Sequence, residues 1–173
     1  MDDRVDRVLA QWRIERPDID PTPMGIVGRI SRAARILERA LQDLFARFDL
    51  QPGEFDILAT LRRSGRPYQL SAGALATSSM VTAGAITNRI DRLVAKDLVT
   101  RDLDPANRRA VIIALTTKGR RLIDKAVVAH LDNEQRLLDH LSAEDQERLA
   151  TLLRDLLIAL DDTPPDPSAP ERP

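Results

Sequence analysis

One face of a predicted helix in the middle of the chain carries polar side chains that could bind DNA. From about Thr82 to Lys96, apolar residues fall on one side of a 3.6-residue helical wheel, namely Ala83, Ile86, Ile90, Leu93 and Val94. The other side presents Thr82, Thr87, Asn88 and Arg92. Asparagine can pair with adenine through two hydrogen bonds, arginine can do so with guanine, and threonine hydroxyls suit the backbone. The pattern predicts a DNA-reading face, with a merely solvated helix face as the alternative.

A second candidate contact follows in the loop DLDPANRR, which contains Arg108 and Arg109. It lies between two short β-prone runs, 98–100 and 110–115, and its residues favour a turn. Arginines at the tip of such a ribbon fit a minor-groove or backbone contact, and ordinary surface arginines are the alternative. A reading helix followed by a two-stranded ribbon is the order of a winged helix-turn-helix.

The distribution of charge agrees with a polyanion partner. The formal net charge is only −1, but residues 61–125 carry +8 and the remainder carries −9. Clustered Lys and Arg release counterions when they neutralise phosphates, which drives association with nucleic acid. The alternative is a basic surface that is simply solvated.

The elements that must position these residues are helical and have local start signals. Asp2 and Asp3 can cap a helix over about 4–15, and a long amphipathic helix is predicted over about 24–48. Pro52 suits the first position of a helix to about residue 63. Further caps are Ser71 for a short helix to about residue 76, Thr116 or Thr117 for a helix to about residue 140, and Ser142 for the last helix.

These elements divide the chain into five predicted parts. We expect an extra N-terminal helix in 1–16, a connector and scaffold helix in 17–50, a winged helix-turn-helix lobe in 51–119, C-terminal dimerisation helices in 120–161, and a disordered tail in 162–173. The last helix has a broad stripe of leucines, which fits either a dimer interface or core packing. The predicted fold is mainly α with a small β wing.

Composition argues against several other classes of protein. The chain has no cysteine and only two histidines, and it shows no nucleophile–base pair, metal cluster or phosphate-binding glycine loop. We therefore expect no enzyme, no cofactor and no metal. No apolar run reaches the length of a membrane span, so a cytoplasmic protein without membrane contact is expected.

The order of elements around ITNRIDRLVAKDLVTRDLDPANRRAVIIALTTKG resembles the MarR family of dimeric winged-helix transcription regulators. The resemblance covers about residues 24–160, and its most specific part runs from the wing to the LT-x-x-G segment. It implies a homodimer on a pseudo-palindromic operator. Two positions depart from the family pattern. Asn107 replaces an Asp that usually precedes the arginine pair. Asp97 replaces a Gly that commonly follows the recognition helix, and little damage is expected there because Asp tolerates the left-handed conformation.

The segments WRIERPDIDPTPMGIVGRI and GEFDILATLRRSGRPYQL resemble the PecS-like, urate-responsive branch, which adds an N-terminal helix. That resemblance implies an anionic-ligand site at Trp12, Asp56, Arg89 and Arg101. On the helical wheel Arg89 lies about 80° from the centre of the inward face, so it can reach behind the reading helix. Asp56 interrupts an apolar run, so a salt bridge with Arg89 or Arg101 is expected, which an anion would disrupt. The alternatives are a ligand-free structural salt bridge and a Trp12 used for packing.

We thus expect a repressor released from its operator by a small anion, with urate favoured. The same fold could instead respond to citrate- or aconitate-like polycarboxylates, or serve as a dimeric adaptor without specific DNA binding.

Overall fold

The computed structural model describes residues 2–78, 83–105, 107 and 110–162, and only the backbone of residues 83–85. Seven helices and three strands are found there: α1 (Arg4–Glu15), α2 (Thr22–Ala46), α3 (Pro52–Arg63), β1 (Gln69–Ser71), α4 (Ala72–Ser78), α5 (Ala83–Ala95), β2 (Val99–Leu103), β3 (Val111–Leu115), α6 (Thr117–Leu138) and α7 (Ala143–Ala159). In the described part of the chain, no helix is long and apolar enough to cross a membrane. Of the predicted tail at 162–173, all residues after Asp162 lie outside the described residues.

The first two helices are joined through the cap of α1. The Asp3 carboxylate accepts hydrogen bonds from the backbone N–H groups of Val5 and Asp6 at 2.7 and 2.9 Å, as predicted for an N-cap. Arg29 of α2 donates to Asp3 at 2.8 Å and to Asp6 at 2.6 Å. The backbone N–H of Asp6 and the Arg29 guanidinium hold the pKa of Asp3 below its usual 3.8. This polar clamp flanks the apolar contact of Val5 and Leu9, both buried.

The core of the unit formed by residues 2–133 lies between α3, α4, α5, the sheet and α6. Phe45 and Phe55 stack with their ring centroids 4.2 Å apart. The largest fully buried aliphatic side chains come from all of these elements and are Ile57, Leu58, Leu61, Leu75, Leu93, Ile113 and Ile123. Since each belongs to the apolar side of its own helix or strand, burial of these sides against one another brings the elements together.

The wing contains one strand more than predicted. The sheet has the antiparallel order β1-β3-β2, with Leu70 and Arg101 each paired with Ile113. A two-stranded ribbon was expected because β1 has only three residues, too few for an alternation of polar and apolar side chains to mark a strand. Pairing with β3 supplies the hydrogen bonds that stabilise it.

The recognition helix α5 ends in a Schellman motif at Asp97. Asp97 N–H donates to the Val94 carbonyl and Leu98 N–H to the Leu93 carbonyl, both at 2.9 Å. Asp97 has φ of +58°, so the expectation that Asp here tolerates the left-handed conformation is confirmed. The predicted burial of Val94 was wrong, since it is 40% exposed. On the helical wheel Val94 lies about 70° from the centre of the buried residues Ile86, Ile90 and Leu93, at the edge of the buried face.

Residues 134–162 form a second unit containing the end of α6 and all of α7. Ser142 caps α7 as predicted, with Asp145 N–H donating to its hydroxyl at 3.1 Å. None of the residues of α7 is buried, and its leucines are between 37% and 59% exposed. The stripe on α7 is therefore an exposed apolar face within this structure.

Candidate nucleic-acid interface

The predicted reading face of α5 is exposed where the structure describes it. Thr87, Asn88 and Arg92 are exposed, whereas Ile86 and Ile90 on the opposite side are buried. Asn88 and Arg92 are four residues apart and so lie on the same side of the helix. Thr82 of the reading face and Arg108 and Arg109 of the wing lie outside the described residues.

Arg92 is less free than the helical wheel suggests, because it contacts a buried carboxylate on α3. Arg92 Nε lies 3.2 Å from Glu54 Oε1, and Lys96 Nζ lies 3.1 Å from Glu54 Oε2. Glu54 is completely buried, while Arg92 remains 47% exposed at its side chain. The backbone N–H of Gln51 also donates to Glu54 Oε2, at 3.0 Å. The role of Glu54 was not predicted from the sequence, although its place three residues after Gln51 is the spacing of a capping box.

Arg89 lies on the inner side of α5, against the start of α3. A Cβ on Gly53 would be 2.5 Å from both Cζ and Nε of Arg89, so the guanidinium occupies the space that glycine leaves open. Arg89 is half-buried. Among the described residues it makes no hydrogen bond and no salt bridge, which distinguishes it from Arg92 on the same helix.

The expected salt bridge of Asp56 with Arg89 or Arg101 is not formed. Arg101 Nη1 donates instead to Asp91 Oδ1 at 2.8 Å. Both of these groups are largely solvent-exposed. Because β2 follows α5 in the chain and packs against it, Arg101 meets a carboxylate of α5 that is only 10 residues away in sequence. Asp56 is half-buried on α3, one turn after Gly53. Asp91, rather than Asp56, is therefore the carboxylate that pairs with Arg101.

Trp12 lies on α1, whereas the other three predicted ligand residues lie on α3, α5 and β2. It is 38% exposed and lines a shallow depression of about 250 Å³ with Gln11 and Glu15 of the same helix. A larger groove of about 570 Å³ lies at the start of α6, lined by Asp97, Thr116, Thr117, Lys118, Arg121, Leu122 and Lys125. No hydrogen bond or salt bridge joins any two of the four predicted ligand residues, all of which are described.

Backbone hydrogen bonds close the wing loop at its base. Asp104 N–H donates to the Ala110 carbonyl at 2.9 Å, and Ala110 N–H donates to the Asn107 carbonyl at 2.8 Å. Both bonds involve main-chain atoms, so the substitution of Asn107 for the usual Asp leaves them intact. These two hydrogen bonds therefore do not depend on a carboxylate at position 107.

Comparison with known proteins places these features in a family. Residues 50–111 match the model of the MarR family. The chain is 40% identical to the transcriptional regulator PecS of Dickeya dadantii over 149 residues, which is 86% of this chain and 90% of PecS.

Solved structures give the same result. The fold resembles a mutant of Escherichia coli MarR complexed with operator DNA, with a TM-score of 0.67, 26% identity and coverage of 84% of this chain and 97% of that one. It also resembles Bordetella bronchiseptica BpsR, whose DNA binding is regulated by 6-hydroxynicotinic acid, with a TM-score of 0.66, 26% identity and coverage of 75% and 91%.

The exposed face of α5, the adjoining three-stranded wing and the extended similarity to PecS thus agree with one another. This chain belongs to the MarR family, and it is a winged-helix DNA-binding transcription regulator rather than an enzyme.

Proposed function

We propose that the protein is a homodimeric repressor that a small anionic ligand, with urate favoured, releases from a pseudo-palindromic operator. The observation that carries this proposal is the division of α5 into two polar sides. Asn88 is exposed on the reading side, whereas the adjacent Arg89 is half-buried and makes no hydrogen bond or salt bridge to any described residue. A half-buried guanidinium with no described partner favours an anion at that position.

The DNA partner follows from the family and from the reading face. Thr87, Asn88 and Arg92, with Thr82 of the same helix, are proposed to enter the major groove, and Arg108 and Arg109 to contact the neighbouring backbone or minor groove. In a two-fold dimer, two copies of α5 would meet half-sites about 10 bp apart. The exposed leucines of α7 support a homodimer because a folded chain rarely leaves such a face uncovered.

The ligand is proposed to bind Arg89 with Trp12, Asp56 and Arg101. An anion at Arg89 would lie behind the DNA-reading side of the same helix, where it could shift α5 relative to α3. The Arg101–Asp91 salt bridge joins the wing to α5, so an anion competing for Arg101 would also loosen the wing. The relative BpsR, which is regulated by an aromatic heterocyclic acid, supports the ligand class.

The test is fluorescence anisotropy of the full chain with duplexes from the intergenic region upstream of its own gene, titrated separately with urate and with citrate. We expect specific binding that urate weakens. Arg89→Gln and Trp12→Phe should bind DNA but resist release, whereas Asn88→Ala should lose specific binding and serve as the matched reading-face variant. If citrate releases the operator and urate does not, the proposed ligand is a polycarboxylate rather than urate. A dimer without sequence-specific DNA binding would indicate an adaptor and refute the proposal.

A further inference from the structure

We propose that Glu54 is a positioning residue for DNA reading, because its buried carboxylate fixes the orientation of α5 and of the Arg92 guanidinium. This inference rests on the proposed function in one respect, namely that Arg92 contacts DNA. It starts from the burial of Glu54, whose side chain is only 1% exposed. A buried carboxylate is costly unless cations and hydrogen-bond donors surround it.

The groups that stabilise Glu54 come from two different elements. Gln51 N–H lies at the start of α3, whereas Arg92 lies in the last turn of α5 and Lys96 directly follows that helix. Lys96 also donates to the backbone carbonyl of Asp49, just before α3. One carboxylate therefore contacts the last turn of α5 and the residue that follows the helix, at two points four residues apart. These contacts restrict both rotation of α5 about its axis and sliding along it.

Arg92 is held in a way that leaves its outer nitrogens available. Its Nε is the nitrogen nearest Glu54, and its Nη groups make no hydrogen bond to any residue that the structure describes. The side chain is 47% exposed, on the same face as Asn88. The contact of Arg92 Nε with Glu54 Oε1 is an ion pair rather than a hydrogen bond, so the carboxylate holds the guanidinium by charge and leaves its Nη groups open to a bidentate contact.

Stability alone is a weak reason for this arrangement. Buried salt bridges contribute little net stability compared with apolar residues of similar size, and their better-attested role is to select one geometry. Glu54 lies at the junction where the apolar core of α3 and α5 ends and the polar reading face begins. A carboxylate here sets which rotation of α5 presents Asn88 and Arg92 to DNA.

The experiment is a double-mutant cycle of operator affinity using Glu54→Gln, Arg92→Gln and the double variant, with wild type alongside. Glutamine retains the capping-box partner of Gln51 N–H but removes the charge that holds Arg92. We expect each single variant to bind the operator about tenfold more weakly, with no further loss in the double variant. Affinity for a nonspecific duplex should change far less. A general loss of folding would instead weaken binding to both duplexes.

Glu38→Gln is the matched control, because removal of any negative charge favours DNA through long-range electrostatics. Glu38 is exposed on α2. If Glu54→Gln unfolds, Glu54→Asp keeps the charge while shortening the reach, and it should reproduce the loss. Additive losses, or a Glu54→Gln affinity equal to that of the control, would overturn the proposal while preserving the Arg92 contact. Unchanged affinity in Arg92→Gln alone would refute both that contact and the role of Glu54.

Discussion

The Arg89 guanidinium lies over Gly53, at a separation that leaves no room for a Cβ. This relationship brings the proposed ligand arginine of the recognition helix against the second residue of α3. A substitution that adds a side chain at position 53 therefore displaces Arg89 without changing any charge.

Gly53→Ala should therefore blunt ligand-induced release of DNA while leaving the fold intact. The added methyl meets only the far end of a flexible side chain, so the change in unfolding free energy should stay within about 1 kcal/mol, helped by the better helix propensity of alanine. The measurement is the urate concentration that half-releases the operator. Gly73→Ala in α4 is the control, because its new Cβ would meet nothing within 4 Å. Release at the wild-type concentration would exclude Arg89 from the ligand site.

The features that could be predicted well from the sequence are those decided by neighbouring residues. Asp3, Pro52 and Ser142 start their helices as expected, since a cap depends on the few residues around it. The left-handed conformation of Asp97 could be predicted for the same reason, because it depends only on the helix end that precedes it.

The features that were missed depend on contacts distant in sequence. Glu54 looks like a solvated helix residue until α5 brings Arg92 and Lys96 to it, 38 and 42 residues later. Likewise, nothing local indicates that Arg101 should choose Asp91 over Asp56. The wheel separated the exposed from the buried side of α5, but it could not show which carboxylate each arginine would meet.

The left-handed conformation of Asp97 predicts opposite effects for two small substitutions. Asp97→Gly should match or exceed the stability of the wild type, because glycine adopts positive φ without a Cβ penalty. Asp97→Ala should be less stable than Asp97→Gly by about 1 kcal/mol. Urea unfolding followed by circular dichroism measures this difference. Equal stabilities would mean that the strain at this position is relieved by movement of the helix end.

Gly119, in the LT-x-x-G segment, should tolerate alanine poorly. A Cβ there would overlap the carbonyl oxygen of Leu98, a backbone atom that also accepts a hydrogen bond from Thr116 N–H at 3.1 Å. Because the clash is with the main chain, it can be relieved only by a shift of the backbone at Leu98 or at Gly119. Gly119→Ala should therefore lose about 3 kcal/mol of unfolding free energy. Urea unfolding against the Gly73→Ala control tests this. A loss below about 1 kcal/mol would show that α6 shifts away from the end of α5.

The clamp between α1 and α2 should open in acid, with Trp12 as its reporter. The Asp6 N–H and Arg29 lower the pKa of Asp3 in the folded chain, so this carboxylate stabilises the fold above its usual value of 3.8. That contribution is lost as the pH falls through the lowered pKa. Trp12 is the only tryptophan and lies on α1, so its emission should shift to the red below pH 3.8. Arg29→Gln removes the cation from Asp3 and Asp6 and should move the transition to higher pH. A transition at the same pH in both proteins would show that Arg29 does not hold α1 in place.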